Sequence, residues 1–152
     1  MRFGVVLAAA SAAVVWSSIA GADPDAQLPV PAAPRVSAES RLNEGLVLSE
    51  KKDWYGAEKA FRDAIRLRAA FPEAWNGLGF VLRSLKQYEE SIQSYKEALR
   101  LRPDYPQALE YLGEAYVQIG RLDEAKAVLD RLRPLDPAEA DELAEVIARA
   151  GK

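Results

Sequence analysis

Gly45, Gly79 and Gly113 stand 34 residues apart, and the spacing is not confined to glycine. At the same interval run Ala57, Ser91 and Ala125; Phe61, Tyr95 and Leu129; Ala64, Ala98 and Leu132; and Leu48, Leu82 and Tyr116. Columns that keep one register describe a single structural unit used three times, since unrelated amphipathic helices would drift in phase. A unit this short cannot enclose a core alone, so each must bury its apolar face against its neighbour.

Each unit reads as two helices. In the second, Pro72 suits a first helical position, and Trp75, Leu78, Gly79 and Leu82 form an apolar stripe. After a break near Lys86-Gln87, the residues Tyr88, Ser91, Ile92, Tyr95, Ala98 and Leu99 form another, closed by Pro103. The first unit predicts helices near 39–51 and 54–68, with Asp53 capping the second, and the third near 106–119 and 122–132. Glycine inside a helix costs about 1 kcal/mol relative to alanine, so its return at one register implies close backbone packing.

Unit two, with Trp75, Leu78-Gly79, Tyr88, Tyr95, Ala98 and Pro103, resembles the tetratricopeptide repeat. Unit one keeps Gly45, Ala57, Phe61 and Ala64, but has Arg41 and Glu44 where an aromatic and Leu are usual. Unit three keeps Leu112-Gly113, Tyr116, Gly120, Ala125 and Pro137, departing at Leu132 and at Pro134, which should end its last helix early. The resemblance implies an all-α, right-handed superhelix of three repeats: 38–71, 72–105 and 106–137. Asp136-Pro137-Ala138-Glu139 then opens an amphipathic segment, 138–152, whose Leu143, Val146, Ile147 and Ala150 suit a helix covering the last repeat.

The N-terminus has another character. Arg2 is the only charge in residues 1–22, Phe3 to Ile19 is apolar and small, and Ala20-Gly21-Ala22 suits a signal peptidase. Cleavage after Ala22, and export with the bacterial periplasm as destination, are expected. A retained anchor is the rival reading, and no stable membrane insertion is expected after cleavage. Residues 23–37 carry Pro24, Pro29, Pro31 and Pro34 and read as an extended linker.

The chain has neither cysteine nor histidine, which removes disulfides, thiol nucleophiles and the usual metal ligands and general base. No phosphate-cradling loop or metal spacing occurs, so no cofactor, metal site or catalytic centre is expected. Paired carboxylates at Glu89-Glu90 and Asp123-Glu124 fall in first turns, where negative charge suits the helix dipole. The net charge of −3 argues against nucleic acid, and residues 106–152 hold ten acidic against six basic groups.

What remains is binding. The resemblance implies a concave wall lined by the first helix of each unit. On it the expected protein-binding groove comprises Leu42 and Leu46; Asn76, Phe80 and Arg83; and Glu110, Glu114 and Val117. Glu39, Ser49, Glu50, Glu73, Ser84, Gln107 and Gln118 hold further places of that wall. An extended peptide or a helix with an apolar stripe and a basic end would suit it. Some members of the family hold a terminal carboxylate with Lys, Asn and Arg; here those places hold Leu42, Leu46, Gly77, Gln107 and Tyr111. The expected function is therefore a non-enzymatic adaptor or scaffold in a cell-envelope assembly. A self-associating solenoid is the alternative, and a carboxylate-based enzyme or small-ligand binder a remote one.

Overall fold

A computed structural model describes residues 36–152. The segment read as a signal peptide, and the linker as far as residue 35, lie outside the described residues. Seven α-helices and no strands occur among the described residues: α1 (Ala38–Glu50), α2 (Trp54–Leu67), α3 (Pro72–Ser84), α4 (Tyr88–Leu101), α5 (Pro106–Gln118), α6 (Leu122–Leu132) and α7 (Pro137–Ala150). The helices α1–α2, α3–α4 and α5–α6 pair as hairpins, α2 packs on α3 and α4 on α5, and α7 closes the stack against α5 and α6. This is the all-α solenoid that the period implied.

The turns repeat as closely as the helices. Lys52, Lys86 and Gly120 all adopt positive φ, at 60°, 63° and 74°. In each turn the next residue's amide returns to the helix: Asp53 to Leu48, Gln87 to Leu82, Arg121 to Tyr116, at 2.8–2.9 Å. Only the third turn uses glycine, the residue that takes this conformation without a side-chain clash. Helix starts differ by sequence. Asp53 and Asp136 accept amide hydrogen bonds as N-caps, and Ser37 forms a reciprocal capping box with Ser40. Phe71 and Tyr105, at the N-caps of α3 and α5, have no side-chain acceptor. Instead Arg68 lies over the Phe71 ring and Arg102 over Tyr105, at 4.5 and 4.7 Å, while pairing with Glu39 and Glu73 at the start of their own units.

The core runs the length of the stack. A methyl at Gly45 would lie 2.7 Å from the Phe61 ring, and one at Gly79 2.6 Å from Tyr95. In the third unit the residue beside Gly113 is not Leu129, at the aromatic register, but Leu143 of α7, 2.5 Å from a methyl there. The terminal helix thus supplies the side chain that an aromatic supplies in the first two units. α6 ends at Leu132 after 11 residues, against 14 in α2 and α4, as Pro134 requires.

Candidate functional site

The first helices α1, α3 and α5 form one wall, and α7 lies beside its C-terminal end. Where they meet α2, a cavity of about 340 Å³ is lined by Leu46, Ser49, Glu50, Phe61, Asn76, Gly77, Phe80, Gln107 and Tyr111. Aromatic rings continue along it. Trp54 meets Phe80 edge-on at 6.1 Å, Phe80 meets Tyr111 at 5.8 Å, and Tyr111 rests on Tyr95 at 6.0 Å. Gly77 matters here because a methyl in its place would lie 2.6 Å from Phe61, whose ring therefore reaches the groove floor.

Polar groups thread between the rings. Asn76 Nδ2 donates to Gln107 Oε1 at 3.0 Å, and Gln107 Nε2 donates to the Tyr111 hydroxyl at 3.4 Å. The Asn76 Oδ1 is buried with no hydrogen-bond partner among the described residues. Arg83 pairs with Glu114 across α3 and α5, its guanidinium 5.0 Å from the Tyr111 ring centre.

The sequence-predicted groove residues are divided by the fold. Leu46, Asn76 and Phe80 line the cavity, with Leu46 47% exposed. Leu42 packs on the cores beneath α1, and Val117 packs against the core of the C-terminal half. Arg83 and Glu114 neutralise one another, so neither presents a free charge to a ligand. Acidic groups from α5 and α7 gather at the C-terminal end of the wall, where Glu110 lines a second cavity of about 470 Å³ with Asp136, Glu139 and Glu142. Phe61, Glu139 and Glu142 were not picked out as groove residues, and Tyr111 was named only as standing where a carboxylate-holding side chain would be. Tyr111 shares the 34-residue register of Gly77, and a large residue beside a small one was the available signal for a pocket. Elsewhere Lys59 and Arg66 of α2 are paired with the buried Asp63, at 3.2 and 2.8 Å.

Burial raises the Glu110 carboxyl to about 7, the negative charges of Glu139 and Glu142 push the same way, and Arg83 opposes them. Its folded form therefore holds a proton that an unfolded glutamate, ionising near 4.5, has already released. Stability from this group is complete below that value and is lost as pH rises through about 7. Glu110→Gln is expected to remove the loss, read as the difference in urea midpoint between about pH 5.5 and about pH 8.

The family described as "TPR repeat" matches residues 81–120, and that described as "Tetratricopeptide repeat" matches residues 107–137. No curated protein matches the sequence. Solved structures do. The TPR2B domain of yeast Sti1, in a pHsp70 complex, has a TM-score of 0.71 at 23% identity, over 75% of this chain and 95% of that one. The Arabidopsis OM64 TPR domain gives 0.71 at 19%, over 74% and 95%. The second TPR domain of human RPAP3, in complex with the HSP70 peptide SGPTIEEVD, gives 0.69 at 20%, over 76% and 95%.

Proposed function

We propose that this tetratricopeptide-repeat protein is an exported interaction module whose concave face holds a segment of a partner polypeptide, serving as an adaptor or scaffold in a cell-envelope assembly. The observation that carries the binding reading is the open, ring-lined cavity of about 340 Å³ at the centre of the wall. Apolar concavities with a few placed polar groups are where ligands gain most from leaving water. Peptide complexes of similarly folded domains, Sti1 with pHsp70 and RPAP3 with SGPTIEEVD, support the mode. They do not carry over the ligand. Leu42, Leu46, Gly77, Gln107 and Tyr111 stand at places where the family's carboxylate-holding Lys, Asn and Arg would be, and Glu110, Glu139 and Glu142 would repel an acidic tail.

Export to the periplasm rests on Arg2, the apolar stretch Phe3 to Ile19 and Ala20-Gly21-Ala22. Among the described residues no helix is long and apolar enough to cross a membrane. Leu46→Glu with Phe80→Glu tests the groove, because both side chains are part-exposed and carry less of the fold than the core does. Partner capture from a native envelope extract is expected to fall about tenfold or more, with the helical circular-dichroism signal kept. Undiminished capture by the folded double variant would reject the groove.

A further inference from the structure

We propose that the outer layer carries a second binding site, for a small anionic amphiphile. Its aliphatic chain lies in a cleft between α4 and α6, and its carboxylate is held by Lys96, Arg100 and Arg131. The site stands apart from the groove, and the two cavities share no lining residue.

A cavity of about 340 Å³ opens between α4, α5 and α6. Its floor is apolar, made by Leu99, Leu112, Tyr116 and Val128, and the small Ala127 leaves its edge low. Three cations stand around it. Lys96 has no carboxylate partner among the described residues, and its ammonium lies 5.9 Å from the Tyr116 ring centre. Arg131 likewise meets no carboxylate there and donates to the Pro103 carbonyl at 3.4 Å. Arg100 pairs at 2.9 Å with Glu97 of its own helix, an exposed contact that is worth little in water. The one carboxylate lining the cavity, Glu124, is taken by Arg121, whose Nε donates to it at 2.7 Å.

The 34-residue register supplies an internal comparison. Where the second and third units have Lys96, Glu124, Ala127 and Arg131, the first and second have Arg62, Glu90, Gln93 and Glu97. There Arg62 pairs with Glu90 across the two outer helices at 3.3 Å, and Arg66 with Asp63 at 2.8 Å, so the charges close on one another. Between units two and three Arg121 holds Glu124, Arg131 stands in place of Glu97, and alanine in place of glutamine. The result is an apolar hollow with unmatched positive charge at its rim, of a size that can enclose a small molecule. Lysine and arginine stems can flank a hydrocarbon chain while their heads meet its carboxylate. A neutral or cationic chain would leave those heads unmatched.

Calorimetric titration of the purified full chain with sodium decanoate, below its micelle concentration, tests this. One saturable site is expected, with acetate and decyltrimethylammonium giving none. Lys96→Gln with Arg131→Gln is expected to weaken decanoate binding about tenfold or more. Ala127→Trp changes an exposed helix position and puts an indole into the hollow, so it is expected to abolish the site. Both variants should keep the helical circular-dichroism signal, and Leu46→Glu with Phe80→Glu should leave decanoate binding unchanged. No saturable binding, equal binding of decyltrimethylammonium, or full affinity in either folded outer-layer variant would overturn the proposal. Loss of decanoate binding in the groove variant would overturn it too, by placing the ligand in the groove. A twelve-residue peptide of alternating Leu and Glu that binds where decanoate does not would reassign the face to a partner polypeptide and overturn it equally.

Discussion

Tyr95→Ala is expected to destabilise the fold by about 3–5 kcal/mol, whereas Tyr95→Phe leaves it unchanged or slightly more stable. The ring is 0% exposed, lies under Gly79 and supports Tyr111, so its loss leaves a cavity between α3, α4 and α5. The hydroxyl is another matter. It is buried without a hydrogen-bond partner among the described residues, and Ser91 beside it donates to the Gly79 carbonyl at 2.7 Å. Burial accordingly pushes the phenol's ionisation well above its ordinary range. Removing the oxygen removes an unpaired polar group and keeps the packing. Urea unfolding of the two variants separates these effects, and a large loss in Tyr95→Phe would show that the hydroxyl is paired after all.

Ending the chain at Leu135, and so deleting α7, is expected to cost about 3–6 kcal/mol, from the two large side chains it buries. Leu143 is 1% and Ile147 7% exposed, and Leu143 fills the place beside Gly113. Without them Leu112, Leu132 and Gly113 meet water. Contacts in a solenoid pass between neighbours, so the loss should be graded along the stack. Hydrogen exchange is expected to accelerate strongly in α5 and α6 and little in α1 and α2. Uniform acceleration would mean that the stack unfolds as one cooperative unit. The same deletion removes Glu139 and Glu142 and thus the acidic end of the groove.

The 34-residue register made the helices, their pairing and the close approach at Gly45 and Gly79 readable from residues alone, because these are local or repeat in every unit. What escaped depends on one unit differing from the others. Leu143 replaces an aromatic from a different helix, so no column announces it. Arg83 and Glu114 meet across 31 positions of sequence, and only the superhelical geometry decides that they pair rather than face a ligand. The Arg68–Glu39 and Arg102–Glu73 pairs could have been found, since all four residues keep the 34-residue spacing. Lys52 and Lys86 conceal their left-handed turns because lysine is not the residue that signals one. The pocket was half legible: Leu46, Asn76 and Phe80 fall on the expected wall, while Phe61 reaches it from α2 only because Gly77 has no side chain.

On the reading proposed above, the inner wall and not the outer layer grips another polypeptide. A photo-crosslinking amino acid placed at Phe80, and separately at Tyr55, which is 74% exposed on α2, separates the two faces in living cells. A discrete adduct with another protein is expected from position 80 and none from position 55. Adducts from position 55 alone would contradict it.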